Sequence, residues 1–491
     1  MSDSYQLISK HVLALLLFVA ASLAYFYPVI NGQAIYQSDI VQYRGMARET
    51  IDFRKQTQEE SFWNNAAFGG MPTYQLGAQY PHHYIKYVDR ALRFLPRPAD
   101  YLFLYFIGLY LLFLVLKVDY KWAILGALAF GFSTYLIIIL GVGHNAKAHA
   151  IAYFPWVIGG VLLVFQHRYR WGFILATLGI ALELMANHYQ MTYYLLYVLL
   201  FMAITYAIKA HQESSWPRYA KSMGVLLASG ILGIGMNTRT LWATQEDAKE
   251  STRSSSELTI TPEGKKEVLP SGLDYEYITE YSYGPLESLN LLVPRFMGGA
   301  SNEPLPDNAK TLNALRDLGA TPDEARQIAP QIPMYWGDQP IVAAPAYVGA
   351  ALLTLAIMSL FLIQGSLLRW VIPSIILALL LSWGRNLDFL TRFFVDYVPL
   401  YDKFRAVSSI QVLIELLTPV LAVVGLQRFF AQQISQERRI DVLRKTAYIL
   451  GGVFGLIFCV GFFALRFAGP YDGYFMDQLG MPFIDAVSYT H

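Results

Sequence analysis

Long apolar segments recur along the chain, and they constrain its fold more than any other feature. The hydrocarbon core of a membrane is roughly 30 Å thick and needs about 20 apolar residues in helical form. About eleven such windows occur in the 491 residues, of which only 15% are charged. Lipid is therefore the expected solvent, and the sequence predicts an all-α polytopic integral membrane protein. The predicted spans are approximately residues 11–30, 99–117, 122–141, 151–166, 171–186, 192–208, 222–242, 344–363, 368–383, 408–427 and 447–466.

The distribution of Lys and Arg predicts the orientation of these spans. Short connections rich in Lys and Arg remain on the cytoplasmic side of a membrane, and every second connection in this chain is basic. The segment from Arg428 to Lys445, after the tenth span, is the clearest example. This pattern requires a cytoplasmic N-terminus, and the first apolar run, which has no small-residue cleavage site, is interpreted as an uncleaved span.

The same topology divides the chain into modules. Two long hydrophilic segments fall on the side opposite the basic connections, and in the second of them acidic residues outnumber basic ones by about two to one. The predicted order is a cytoplasmic N-terminus (1–10), an N-terminal transmembrane module of seven spans (11–243) with the first extracytoplasmic loop (31–98), a second extracytoplasmic loop (244–340), a C-terminal transmembrane module of four spans (341–466) and an extracytoplasmic tail (467–491).

Charge and cysteine content exclude several classes of function. The formal net charge is +1 and the basic residues are spread along the chain, so nucleic acid is not an expected partner. Cys459 is the single cysteine and lies in an apolar run, which excludes an intrachain disulfide and a cysteine-based metal site. His144 and His149 lack the four-residue spacing of a helical zinc pair. No metal ligand is therefore predicted, although a carboxylate-bound divalent cation remains open.

Asp39 is the leading candidate for catalysis. It follows the first span directly, so its carboxylate is expected near the membrane surface. One interpretation is a general base that deprotonates a hydroxyl group, or a metal ligand. The other is that Ser38 or Asp39 caps a juxtamembrane helix that runs through residues 46–49. The sequence favours neither interpretation.

Two short outer connections, residues 143–150 and 187–190, are unusually polar. If the first is helical, His144 and Lys147 share a face and could hold a phosphate; the alternative is a hydrated turn in which Lys147 meets lipid headgroups. Glu183 lies inside the fifth span, and an ionisable side chain at that depth indicates that the helix faces the protein interior. His188 and Gln190, at its end, are then expected at the same level as His144.

Further candidates lie around the second long loop. Arg239 and Arg253 could balance a diphosphate or pair with a loop carboxylate, and pairing is favoured for Arg253. Trp336 and Asp338, before the eighth span, and Arg405, before the tenth, place aromatic and charged side chains at a possible rim of a sugar site. Because no glycine-rich nucleotide motif is present, a soluble nucleotide-sugar donor is less attractive.

The order of these features resembles that of the bacterial YfhO-like membrane proteins, a family assigned to the glycosyltransferase C superfamily. The resemblance extends from the first span to about residue 410. Each motif is short, and their shared order is the specific part. The motifs are Asp39, Gly143 through Lys147, Asn187 through Gln190, Arg253 through Leu258, Tyr281 through Gly284, Tyr335 through Asp338 and Lys403 through Arg405.

The resemblance implies a glycosyltransferase C-type fold and an enzyme of the hexosyltransferase type in a bacterial cytoplasmic (inner) membrane. Such an enzyme takes a sugar from a polyprenyl-phosphate donor and passes it to an envelope glycan or lipid acceptor on the extracytoplasmic side. Asp39 is then the implied catalytic base. Membrane lipids are the other expected partners, and no cofactor is implied with certainty. Family members usually continue beyond the length of this chain. The resemblance therefore implies that the chain is a fragment of a longer protein.

Two other functions compete with this expectation. A transporter or flippase of a lipid-linked glycan should place charged or helix-breaking residues near the membrane midplane. A noncatalytic envelope scaffold should tolerate replacement of Asp39. The enzyme hypothesis requires a shared site, so a distance of more than about 15 Å between Asp39 and the pair His144 and Lys147 would defeat it. The sequence identifies neither the sugar, nor the acceptor, nor the oligomeric state.

Overall fold

A computed structural model describes residues 2–254, 272–305 and 309–463. Within these ranges the chain is almost entirely helical, and its one pair of strands is the antiparallel β1 (Trp63–Asn64) and β2 (Met71–Pro72). The predicted all-α class is thereby confirmed. The predicted tail, the last three residues of the eleventh predicted span and the residues after Ser254 in the Arg253 motif lie outside the described residues.

The helices follow the predicted apolar windows, with short helices added in both long loops. The N-terminal module contains α1 (Ser2–Tyr25), α2 (Tyr27–Ile30), α3 (Ser38–Met46), α4 (Arg48–Thr57), α5 (Ile85–Leu92), α6 (Ala99–Val115), α7 (Tyr120–Gly131), α8 (Thr134–Val142), α9 (Asn145–Phe165), α10 (Tyr169–Met185), α11 (Tyr189–Gln212), α12 (Trp216–Gly235) and α13 (Thr238–Lys249). The remainder contains α14 (Tyr275–Thr279), α15 (Lys310–Asp317), α16 (Pro322–Ile328), α17 (Ala350–Leu360), α18 (Ser366–Ser382), α19 (Asp388–Tyr397), α20 (Val412–Phe429) and α21 (Gln436–Phe463).

Several of these helices have the length and composition of membrane spans. Five described segments are long and apolar enough, namely Ile8–Tyr25, Asn145–Phe165, Tyr189–Gln212, Val407–Phe429 and Gln436–Gly461. Three bent pairs, α7 with α8 (46°), α12 with α13 (73°) and α18 with the segment through α19 (110°), raise the number to eight if each pair is one span. A multi-pass membrane protein is supported, whereas eleven crossings and the glycosyltransferase C-type fold stay predictions.

The core of the bundle lies around α9 and α20. Within the apolar window of each span, 94% of α9 and 100% of the segment containing α20 are buried by protein, compared with 17% for α1 and 11% for α21. α9 packs against α6 and α10, and α20 packs against α7 and α17. The apolar middle sections of these central helices are consequently enclosed by protein.

Glycines allow α9 and α10 to pack at close range. A side chain at Gly160 would place its Cβ within 2.6 Å of the Ala176 Cα on α10, and one at Gly172 would lie 2.7 Å from the Val164 backbone nitrogen on α9. These neighbours are backbone atoms, which cannot rotate away. Small residues at such crossings bring helices together in membranes, where no hydrophobic effect drives their association.

We expect Gly160→Ala to lower the free energy of unfolding by about 1–3 kcal/mol, the usual effect of overpacking a close contact. Thermal unfolding in detergent measures this loss. The control is Gly141→Ala in α8, where an added Cβ meets nothing within 4 Å and the better helix propensity of Ala should be neutral or stabilising. Equal melting temperatures for both variants would show that the α9–α10 contact can expand freely.

A buried ionic network attaches α5 to the bundle. Asp89 is 2% exposed and accepts hydrogen bonds from Arg93 at 2.7 and 2.9 Å, from Tyr153 at 2.8 Å and from His149 at 2.5 Å. Arg93 also donates to Asp100 at 3.0 Å, at the start of α6. α5 is therefore held to both α6 and α9 by groups that are costly to leave unpaired.

Candidate functional site

A cavity of about 830 Å³ lies where the ends of several helices meet. It is bounded by the start of α3, the junction of α8 and α9, the start of α11 and two segments that precede α17 and α20. Seven of the ten predicted site residues line this cavity. They are Asp39, His144, Lys147, His188, Gln190, Arg253 and Arg405.

The position of Asp39 follows from the way α3 begins. Gln37 is the residue before the helix, and its side chain donates to the Leu140 carbonyl of α8 at 2.5 Å. Asp39 lies in the first turn, and neither it nor Ser38 caps the helix, so the capping interpretation is wrong. α3 is also shorter than that interpretation assumed, because it ends at Met46. The Asp39 carboxylate is left available to the cavity.

Gly143 permits the close approach of the start of α3 to the junction of α8 and α9. Its φ of +96° is a left-handed conformation that glycine adopts without strain. A Cβ at this position would lie 2.9 Å from the Gln37 Cβ and 3.5 Å from the Asp39 Cβ. The glycine therefore turns the chain between α8 and α9 and makes room for the start of α3. The predicted connection 143–150 is shorter than expected, since α9 already begins at Asn145.

Asp39 and His144 form a close pair. The Asp39 Oδ2 and the His144 Nε2 are 3.1 Å apart, and the two side chains are 47% and 41% exposed. Burial of the imidazole and then the Lys147 cation lower the pKa of His144 to about 4, although Asp39 acts in the opposite direction. His144 is consequently neutral at pH 7. It can donate or accept one hydrogen bond at each nitrogen, but it cannot hold a phosphate as a cation.

The cavity lining carries more positive than negative charge. The Lys147 Nζ donates to the Ser409 Oγ at 3.2 Å, and the Arg405 guanidinium donates to the Tyr277 hydroxyl at 2.6 Å. Arg253 donates to the Lys403 carbonyl at 2.9 Å rather than to the carboxylate that was favoured from sequence. The described lining thus contains three cationic side chains and one carboxylate. Such a surface favours a ligand with an anionic group.

The start of α9 reinforces this preference. The first N–H groups of a helix have no intrahelical acceptor, and the end of the helix carries a partial positive charge. No side chain caps α9, and the Asn145 N–H already donates to the Gly143 carbonyl at 2.7 Å. Among the described residues, the N–H groups of Ala146 and Lys147 are the ones left available in the first turn. α9 has 21 residues, long enough for its peptide dipoles to act together.

His188 and Gln190 reach the same cavity from the start of α11. Burial, followed by the Lys147 cation, lowers the pKa of His188 to about 3, so this ring is also neutral at pH 7. The Gln190 amide donates to the Arg405 carbonyl at 2.6 Å and to the Tyr194 hydroxyl at 2.8 Å. Gln190 therefore fastens the Arg405 segment to α11, and because it also lines the cavity its predicted ligand contact stays a prediction.

Three predicted residues lie outside the cavity lining. Arg239 is exposed and donates to the Pro81 carbonyl at 2.5 Å, because the 73° bend between α12 and α13 turns this end of the helix toward the first long loop. The Trp336 ring packs beside Phe296 at 6.2 Å between centroids. Asp338 is exposed and follows Tyr335, whose hydroxyl is tied to the buried Glu287.

The cavity also contains residues that sequence reasoning missed. Ser409, which binds Lys147, belongs to a short 3-10 turn, Val407–Gln411, directly before α20. Six residues later, on α20 and outside the cavity lining, lies Glu415, a fully buried carboxylate that accepts from Ser133 at 2.5 Å. A signal was present in both cases, since polar residues at the start of an apolar span are costly unless they face protein or water. Tyr135 also lines the cavity, together with Tyr281 and Tyr283 from one of the motifs that carry the family resemblance.

Metal ligands do not converge in the described part of the chain. No group of three or more His, Cys, Asp or Glu side chains there has the arrangement needed to hold a metal ion. Comparison with protein-family models, with curated proteins and with solved structures gives no match for this chain. The arguments about function therefore depend on the cavity itself.

Proposed function

We propose that the protein is an integral-membrane glycosyltransferase that transfers a sugar from a polyprenyl-phosphate donor to a cell-envelope acceptor on the extracytoplasmic side. The observation that carries the proposal is the composition of one cavity. Asp39 lies within 3.1 Å of His144, well inside the separation that the shared-site hypothesis allows, and Lys147, Arg253 and Arg405 line the same space. A base beside a group of cations is the minimum that this reaction needs.

The proposed chemistry assigns a role to each charge. The Asp39 carboxylate takes the proton of an acceptor hydroxyl as its oxygen forms a bond to the anomeric carbon of the sugar. The bond between that carbon and the phosphate oxygen breaks at the same time, and the lipid phosphate leaves with the electron pair. Lys147, Arg405 and the backbone N–H groups of Ala146 and Lys147 stabilise the negative charge that develops on the phosphate.

The wall of the cavity suits a donor with a lipid tail. Ile138, Ile139 and Val142 of α8 line one part of the space, and the run from Ile341 to Ala344 lines another. Apolar surface next to an anion-binding region matches a phosphate joined to a hydrocarbon chain better than it matches a soluble nucleotide sugar.

One observation favours the alternative, a transporter or flippase of a lipid-linked glycan. Glu183 and Glu415 are both fully buried in apolar helices, and ionisable groups at such positions often line a path through the membrane. Each carboxylate has a hydroxyl partner, Thr192 for Glu183 and Ser133 for Glu415. Partners of this kind also stabilise a static core, so these residues are a weaker argument than the cavity.

Reconstitution of the protein, at its full natural length, in liposomes tests the proposal. The liposomes contain radiolabelled hexosyl phosphates on a short polyprenyl chain and a lipid extract that supplies acceptors. Labelled product is expected only in the presence of the protein. Movement of the donor across the bilayer without product would support the flippase, and neither activity with any donor would overturn both functions.

Lys147→Gln should weaken donor binding by roughly 10- to 100-fold, since a hydrogen bond to a charged group contributes about 1.5–3 kcal/mol. The measurement is the dependence of the rate on donor concentration. Lys121→Gln is the matched control, because Lys121 is exposed at the end of α7 that is remote from α8 and the cavity. An unchanged KM in Lys147→Gln would mean that its ammonium only anchors Ser409.

A further inference from the structure

Asn145 has a buried side chain with no partner. It is the first residue of α9, it is 7% exposed, and it lines the cavity between His144 and Lys147. Within the described residues neither its amide nitrogen nor its amide oxygen has a hydrogen-bond partner. Buried polar groups of folded proteins are nearly always paired, because an unpaired group loses its hydration without compensation. A ligand that enters the cavity would supply the missing partners.

The chemistry of the amide restricts what that ligand can be. An amide offers two N–H donors and one carbonyl acceptor. A phosphate group accepts hydrogen bonds only, so it would pair with the Asn145 Nδ2 and leave the Oδ1 facing negative charge. A hydroxyl group both donates and accepts, and two neighbouring hydroxyls on one ring pair with both ends of an amide.

The surroundings agree with this assignment. The anionic part of a ligand already has Lys147 and Arg405 as partners, and the Asp39 carboxylate lies beside the preceding residue, His144. Asn145 therefore lines the cavity directly after the residue that pairs with Asp39 and two residues before the cation Lys147. During transfer a sugar ring lies between the base and the phosphate.

We propose that Asn145 is a specificity-determining residue that binds a pair of hydroxyl groups on the transferred unit, so that the ligand is a polyhydroxylated ring and not a bare lipid phosphate. This inference rests on the proposed function and deepens it, because it names the residue that distinguishes the sugar from the carrier. From the sequence, the neighbours of Asn145 in this motif were considered as phosphate ligands only, and no role was predicted for Asn145 itself.

Measurements of binding test this inference independently of sugar transfer. The probes are dodecyl phosphate and dodecyl phosphate that carries glucose, galactose, mannose or arabinose, each titrated into the detergent-solubilised protein. We expect the natural chain to bind at least one sugar-bearing probe roughly tenfold or more tightly than dodecyl phosphate. In Asn145→Leu that ratio should fall to near one, while the affinity for dodecyl phosphate stays the same.

A stability measurement guards against misfolding of the variant. Asn237 is the control, because it is a buried amide whose groups are all engaged by His83, Ala181 and Gly233. Without ligand, Asn237→Leu should lower the melting temperature, whereas Asn145→Leu should leave it unchanged or raise it, since no hydrogen bond is lost.

Two results would overturn the inference. One is an equal affinity of the natural chain for all five probes, and the other is an unchanged preference for the sugar in Asn145→Leu, as expected if only water pairs with the amide. Sugar-dependent binding that depends on Asn145 without any transfer would keep the inference and reject the glycosyltransferase. Transfer that does not depend on Asn145 would reject the inference and keep the glycosyltransferase.

Discussion

Asp39→Asn should reduce the rate of sugar transfer by roughly 100- to 10,000-fold, the usual contribution of a general base. The amide has nearly the shape of the carboxylate but cannot take up the proton of the acceptor hydroxyl. Because no side chain caps α3 and an asparagine at this position can still accept a hydrogen bond from His144, the partner of Asp39, we expect normal expression and an unchanged melting temperature. The rate of labelled product formation in reconstituted liposomes measures the effect.

Asp52→Asn is the matched control for this prediction. Asp52 lies on α4 in the same loop and pairs with Arg48 at 3.3 Å on the surface, where it cannot contact a ligand in the cavity. Its variant should retain full activity. Transfer above about a tenth of the natural rate in Asp39→Asn would remove Asp39 from the mechanism, since a lost base costs at least about 100-fold.

His144 supplies a pH test of the same pair. Because its pKa is lowered to about 4, His144 is neutral from about pH 5 upward and its titration should not affect the rate between pH 5 and 8. His144→Gln should therefore leave the shape of the pH–rate profile unchanged in that window. If the variant removed an inflection near pH 6.5, the imidazole would be a titrating participant at its ordinary pKa.

Asp89→Ala should lower the free energy of unfolding by about 3–5 kcal/mol, because it leaves the partly buried Arg93 with only part of its countercharge and removes the acceptor of His149 and Tyr153. Thermal unfolding in detergent measures this loss. The control, Asp52→Ala, breaks an exposed pair with Arg48 and should change stability by less than about 0.5 kcal/mol. Similar losses in both variants would mean that the network contributes no more than a surface ion pair.

The stabilisation by Asp89 should depend on pH. Burial alone raises the pKa of Asp89, but the hydrogen bonds and charges of His149 and Arg93 outweigh it, so the pKa lies well below its ordinary value of 3.8. A carboxylate with a lowered pKa in the folded protein stabilises the fold fully above the unfolded pKa and loses that contribution as the pH falls below it. The natural chain should therefore lose more stability between about pH 5 and 2 than Asp89→Asn does.

The candidate site could be predicted in part, because some of its signals are local. A polar run such as Gly143 through Lys147 between two apolar windows indicates a surface that avoids lipid, and this reasoning also applied to His188 and Asp39. The buried ionic network around Asp89 left no such signal. Its members on α5 and α6 are close in sequence, but His149 and Tyr153 on α9 lie 60 and 64 positions from Asp89. The local pair of Asp89 with Arg93, four residues apart, has the same kind of spacing as the exposed pair of Asp52 with Arg48.

The three predicted residues that lie outside the cavity lining share a physical explanation. Arg239 lies outside the cavity lining because the chain bends by 73° between α12 and α13, which turns this side chain toward the first long loop. Trp336 and Asp338 were chosen for their composition, and the Tyr335–Glu287 contact draws their segment against another part of the loop. Bends and long-range contacts of this kind have no periodic signature in the sequence.

The amino-acid sequence by itself determined that the chain is helical and suited to lipid. Backbone polar groups in a membrane must be paired within the segment, so a long apolar window has few structures other than a helix. Only the tertiary structure decided which polar groups share the cavity. Lys147 meets Ser409 across 262 positions and Gln190 meets Arg405 across 215, and such contacts arise from the packing of whole helices rather than from neighbours in the chain.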